Sequence, residues 1–352
     1  MIRTMRTNSI KKFMAAAVCV ALSFVSCQNG NDADDSSLIF LKPEFQNAAG
    51  TQTRAMASGD YQSYTPQNGD KILAFTYYVG DPEDKESPLY GIQSGNFTFT
   101  DGEWNSTVGC EQDADIDIYS IMPADIASAS MTTNGTLTLG SMKIISGKDV
   151  MYSVAAAKTQ ADLTEGTFHV EDIHLPTPAE PEEDKVWFAM DHMFAKGNLK
   201  IKGDAKYLGI RTIEITKVTV TSTTGYSSAT VTYGNPTTVE LGTTYGSGNV
   251  NVETMTGKKN LTSDFQNFGT FYFMPKKDIP VSLSVTYNVY TVNTDGTGEP
   301  DLTRENQTAV SSGLIKADEL SAGVEHDIYV TVKPTYMYVM ADVDGQLKLT
   351  IE

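Results

Sequence analysis

From Lys71 onward the apolar residues fall in short runs rich in β-branched and aromatic side chains, each closed by Gly, Pro, Asn or Asp. Residues 72–79 (ILAFTYYV), 97–99, 116–121 (IDIYSI), 137–139, 150–154 and 168–175 read as strands, because such runs suit a pleated, half-buried surface. Gly80-Asp81-Pro82, Asp101-Gly102 and Asn134-Gly135 mark turns between them. No stretch of a dozen residues keeps apolar positions at helical spacing, although 124–129 allows one short helical turn. Residues 176–184 (PTPAEPEED) read as a linker, since proline and acid together build no core. Beyond it 186–190, 199–202, 210–221, 229–233, 268–274, 281–292 and 328–332 read as strands, several alternating and rich in threonine. The chain is therefore expected to be all-β, with spacing suited to sandwiches. Ile121-Met122-Pro123 and Phe273-Met274-Pro275 each end an aromatic-containing strand, which suits two related sandwich domains, 55–185 and 186–352.

The two ends of the chain carry patterns of their own. Leu38, Ile39, Phe40 and Leu41 form an unbroken apolar run, expected as a strand buried on both faces. At the other end Met337, Val339, Ala341 and Val343 alternate, and after the Asp344-Gly345 turn Leu347, Leu349 and Ile351 share one face opposite Lys348 and Thr350. A terminal strand with one apolar face is suited to strand addition onto another sheet, where backbone bonds give affinity and side-chain pockets give register. It is equally able to fold back on its own domain.

The head of the chain is basic, then apolar, then polar. Arg3, Arg6, Lys11 and Lys12 precede an apolar run over 13–25, and Ser26-Cys27 closes it. This is the layout of a secretory signal, too short to span a bilayer as a permanent helix, which needs about 20 residues. Plain cleavage near Ser26 is one reading. A lipobox, Phe24-Val25-Ser26-Cys27, with Cys27 acylated as the new N-terminus, is the other. Residues 28–37 (QNGNDADDSS) would then be a polar, acidic tether. A second polar stretch, 46–67, holds Thr53-Arg54-Ala55; Arg54 is the sole arginine between Arg6 and Arg211 and a tryptic-type site.

Charge narrows the partners. The 352 residues carry a net charge of −18, and removal of 1–54 takes six basic and four acidic residues, leaving 20 and 40 for a net −20. A surface that acidic repels nucleic acid and anionic lipid. Of the three cysteines Cys19 lies in the signal and Cys27 is the acylation candidate, so Cys110 is left as a small core residue with no disulfide partner.

Motifs for chemistry are absent. His169, His174, His192 and His326 form neither an H-E-x-x-H nor a paired Cys/His site, and His192 reads as a packed or capping residue. Asn293-Thr294-Asp295-Gly296 with Glu299 lacks the spacing of a calcium loop and reads as a hairpin tip. Asp113, Asp115 and Asp117 alternate as a solvated strand face. No nucleophile elbow or phosphate loop occurs, so the expectation is a non-enzyme without cofactor or metal. Trp104 and Trp187, the two tryptophans, sit in strand-like contexts and are expected buried, which argues against a glycan platform.

Asp149-Val150-Met151-Tyr152, followed by Phe188-x-Met190-x-His192-x-Phe194-Ala195-Lys196, resembles the fimbrillins, the type V pilin subunits of Gram-negative anaerobes. Tyr119-x-Ile121-Met122-Pro123 and Leu320-Ser321-Ala322-Gly323 leading into Tyr329 and Val330 resemble the same family, as do the lipobox and the Thr53-Arg54-Ala55 site. The resemblance implies two tandem transthyretin-like β-sandwich domains and export as an outer-membrane lipoprotein. It implies cleavage after Arg54 by a trypsin-like surface protease, and loss of the first strand, so that a neighbour's C-terminal strand fills the groove. The implied partners are other pilin subunits, like or accessory, in a surface fimbrium for adhesion or biofilm formation. An accessory or tip fimbrillin, and a glycan-binding surface lipoprotein that never polymerises, are the alternative roles.

Overall fold

A computed structural model describes residues 38–45, 65–79, 91–181, 183–242, 246–255, 257–275, 279–291, 302–316, 321–333, 336–340 and 348–350. Its largest sheet runs in the order Lys42–Phe45, Lys185–His192, Met151–Ala157, Ile116–Met122, Lys71–Tyr78, Ile92–Thr100, Glu103–Ser106, with His169–Val170 on Ile116–Met122. Its hairpin at Asp101-Gly102 puts both residues at positive φ, 55° and 91°, as a two-residue hairpin turn requires. Beside it Ser128–Thr132, Thr136–Lys143, Tyr226–Thr232 and Thr238–Leu241 make a four-stranded sheet. A five-stranded sheet runs Ile145–Ser146, Gln266–Phe273, Ala195–Gly203, Glu325–Lys333, Tyr336–Met340. A further sheet orders Val250–Glu253, Arg211–Ser222, Ile279–Thr291, Leu302–Lys316, Lys348–Thr350, with Lys259–Asn260 on Arg211–Ser222.

The chain is all-β, as the pattern of short alternating runs indicated. The exceptions among the described residues are single turns of helix, Asp162–Glu165 and Ala205–Leu208, the latter capped by Asp204, whose carboxylate accepts from the Lys206 and Tyr207 N–H groups. Residues 124–129 form no helix; the chain turns and enters Ser128–Thr132. Of 168–175 just His169–Val170 is strand.

Strands on either side of residue 185 share sheets. Thr136–Lys143 pairs with Tyr226–Thr232, and Ile145–Ser146 with Gln266–Phe273. Lys185–His192, placed by the sequence pattern at the head of a second domain, pairs with Met151–Ala157 in the largest sheet. The inward faces of the sheets contribute to one core that includes Phe97, Phe188, Phe194, Phe268, Phe271 and Phe273, each under 2% exposed. Burial of this many aromatics is the main stabilising term, with Cys110 free of any disulfide.

Candidate functional site

The segment 38–45 bridges two separate strands. Ile39–Phe40 pairs antiparallel with Gly109–Cys110, and two residues later Lys42–Phe45 pairs in parallel with Lys185–His192. The crossover is bonded on both sides: the Leu41 N–H donates to the Val108 carbonyl at 2.9 Å and the Lys42 N–H to the Asp184 carbonyl at 2.8 Å. Lys42–Phe45 and Glu103–Ser106 are the outer strands of the largest sheet, and the Phe45 and Trp104 rings stand 5.6 Å apart. The sheet thus curls until its ends meet, and 38–45 fills the seam.

Pleating gives the segment one buried face. Ile39 and Leu41 are 2% and 0% exposed, Pro43 is buried, and half-buried Phe45 stacks at 6.2 Å from Phe188. Leu38 and Phe40, 40% and 54% exposed, point outward beside Gly109, which has no side chain to cover them. Burial on both faces, expected for Leu38, Ile39, Phe40 and Leu41, is therefore corrected to burial on one, because among the described residues no element packs over the outer side of the seam. The inner row continues past Leu41 to Phe45, further than the apolar run; the period-two signal was in the sequence, interrupted by Lys42 and Glu44.

Ion pairs clamp the outer face. Lys42 Nζ lies 2.7 Å from Asp184 Oδ2, and Lys185 Nζ 2.9 Å from Glu44 Oε1. Asp184 is 4% exposed and its Oδ1 is buried without a hydrogen-bond partner. Lys158 holds the residue before it: Nζ donates to the Asp172 and Glu183 carbonyls at 2.7 and 2.8 Å and pairs with the Glu183 carboxylate at 2.8 Å, tying the end of the linker to the stretch that precedes it. Sequence reasoning passed over Asp184, which looked like one more acid in a solvated run.

Cys110 lies under the same strand, opposite Ile39 and 0% exposed. Burial pushes its thiol up to about 12, against a downward pull from Lys158 and with a further push from Glu111. It is a buried core thiol and no nucleophile.

At the C-terminal end Tyr336–Met340 pairs antiparallel with Glu325–Lys333, setting Met337 opposite Val332 and Val339 opposite Val330. Lys348–Thr350 pairs antiparallel with Leu302–Lys316, setting Leu349 opposite Ile315. Both stretches are thus held by their own chain. Leu347, Ile351, Cys27, Arg54, Ala55 and residues 293–299, expected as a hairpin tip, lie outside the described residues.

Three motif stretches singled out in the sequence meet in space. His192 Nδ1 lies 2.5 Å from Asp149 Oδ2, Met151 is the register partner of His192, and a Cβ on Gly323 would touch the His192 ring at 3.6 Å. The Gly323 N–H donates to the Phe194 carbonyl at 2.9 Å. His192 is a buried brace, with no open face toward a substrate.

A cleft of about 640 Å³ is lined by Lys158, His169, His174, Glu180 and neighbouring acids. Its two histidines are paired with acids: His169 Nδ1 with Asp117 at 3.2 Å, His169 Nε2 with Glu171 at 3.2 Å, and His174 Nδ1 with Asp113 at 2.9 Å. Of the three acids expected on a solvated face, Asp113 is exposed while Asp115 and Asp117 are half-buried. Among the described residues no group of three or more His, Cys, Asp or Glu is placed to hold a metal ion, and no helix is long and apolar enough to cross a membrane. Trp104 and Trp187, expected buried, are partly exposed; Trp104 packs edge-on to Phe99 at 5.1 Å and Trp187 against the small cluster around Leu163.

No family model matches the chain, and no curated protein does. Among solved structures it is similar to a fimbrial protein from Bacteroides vulgatus, with TM-score 0.41 and 14% identity over 89% of this chain and 98% of that one. It is similar to a candidate cell adhesion protein from Bacteroides fragilis, with TM-score 0.41 and 12% identity over 90% and 97%. A candidate cell adhesion protein from Bacteroides uniformis gives TM-score 0.38 and 13% identity over 89% and 99%.

Proposed function

We propose that the chain is a structural subunit of a surface fimbrium, exported as a lipoprotein through Cys27, cut after Arg54 and joined to its neighbours by strand exchange. The observation that carries this reading is the seam strand. Residues 38–45 lie before Arg54, bond to two separate strands, and bury one apolar row. A cut at Arg54 leaves this strand held by non-covalent forces alone. Once it leaves, Gly109–Cys110 and Lys185–His192 present unpaired N–H and C=O groups around an apolar slot, a template for another strand. The C-terminal stretch is the donor in this reading, with Met337, Val339, Leu347, Leu349 and Ile351 as its apolar positions. It must first leave its own chain, where Lys348–Thr350 is held by a short ladder at the sheet's edge.

The partners are other subunits of the same or accessory type, and the protease is trypsin-like. Before cutting, the lipid on Cys27 holds the precursor at the outer membrane. The reaction is assembly, with no catalysis and no cofactor.

The test is polymer formation by protein cut after Arg54. Leu349→Asp should abolish the polymer ladder as fully as deletion of 346–352, because it places an unpartnered carboxylate in an apolar slot. Thermal melts of the monomers control for folding. Wild-type ladders from Leu349→Asp would remove the C-terminal strand as donor.

A further inference from the structure

The seam strand and the chain's C-terminus carry the same short pattern. Leu41-Lys42-Pro43-Glu44-Phe45 has apolar residues at its first, third and fifth positions and lysine at its second; so has Leu347-Lys348-Leu349-Thr350-Ile351. In the seam the apolar positions face inward and the lysine faces Asp184. We propose that residues 347–351 of a second copy enter the vacated seam in the register that lays Lys348 against Asp184, so that this acid selects and aligns the incoming strand. The proposal rests on the strand-exchange reading above and adds its register.

One observation favours this occupant and alignment. Asp184 is 4% exposed, one of its oxygens has no partner, and its ion-pair partner Lys42 departs with the seam strand. A nearly buried carboxylate stripped of its cation favours a strand that restores one. Leu349, aligned with Pro43, also brings a backbone N–H that proline lacks. The outer face of the C-terminal strand looks indifferent to substitution from its sequence; Asp184 makes position 348 count.

The test is a charge swap in the full chain, read as the rate of ladder growth after cleavage at Arg54. Asp184→Lys and Lys348→Glu should each slow growth roughly tenfold or more, as for truncating or reversing one member of a desolvated charge pair. The double variant should return to within about threefold of wild type. Should Asp184→Lys fail to fold, since it opposes Lys42 in the uncut chain, Asp184→Asn and Lys348→Gln replace the pair. Their combined effect should then fall short of the product of the single effects by at least about threefold. Independent effects, or a double variant no faster than the slower single one, overturn the register while Leu349→Asp still blocks assembly. Ladders that form normally with Leu349→Asp overturn the exchange reading itself, and the register with it.

Discussion

The seam strand should act as the lid of a single reporter thiol. In protein lacking residues 1–27, Cys110 is the sole cysteine. It is fully buried, its register partner is Ile39, and burial raises its thiol to about 12. At pH 8 such a thiol is ionised to ~10⁻⁴, whereas an exposed one with the ordinary value near 8.5 is ionised to ~0.2. Removal of the strand should therefore raise the rate of reaction with Ellman's reagent about a thousandfold, before any gain in steric access. Cutting after Arg54 should not suffice. Ile39 and Leu41 alone contribute roughly 3–6 kcal/mol of apolar burial at about 1.5–3 kcal/mol each, so the nicked fragment stays bound. Cys110 should stay protected in the nicked protein, react once the fragment is separated in mild urea and dilution, and be protected again by a peptide of residues 28–54. Circular dichroism checks that the body stays folded throughout. A rate that rises less than about tenfold on loss of the fragment would falsify the lid, and with it the claim that this strand seals the seam.

Mild trypsin should cut first after Arg54, in a polar stretch, and the large fragment should begin Ala55-Met56-Ala57; an earlier cut elsewhere, with Arg54 resistant, argues against the maturation route. Cys27→Ala should remove fatty-acid label from cells and leave an unprocessed or mislocalised precursor, whereas equal label on both proteins would exclude acylation there. Stability should fall on acidification through His326. Its Nε2 is buried without a partner, and burial lowers its pKa below 6.5, so the unfolded chain takes up a proton near pH 6.5 that the folded chain resists. That contribution is fully present above pH 6.5 and is lost as pH falls toward the folded value. Urea midpoints of His326→Gln should therefore drop less between pH 7.5 and 5 than those of wild type, and parallel curves would remove His326 as a cause.

The strands were legible in the sequence because alternation reports directly on a half-buried pleat. Residues 116–121, 210–221 and 281–292 appear within a residue or two as Ile116–Met122, Arg211–Ser222 and Ile279–Thr291. Asp101-Gly102 likewise announced its hairpin, since few residues tolerate its positive φ angles. The pattern does not say what a face meets. Leu38, Ile39, Phe40 and Leu41 are all apolar, yet pleating in a seam covered on one side buries Ile39 and Leu41 alone. Nor could alternation place 38–45 between Gly109–Cys110 and Lys185–His192, or join Thr136–Lys143 to Tyr226–Thr232. Those pairings join residues roughly 70 to 140 positions apart, and every apolar strand in the chain satisfies the local rule equally well; the choice among them comes from closing one core without voids. Asp184 shows the same division at a single residue. In the sequence it ends a run of solvated acids, and only the return of Lys42 from the far end of the chain, with the linker pinned by Lys158, makes it a nearly buried carboxylate that needs a lysine.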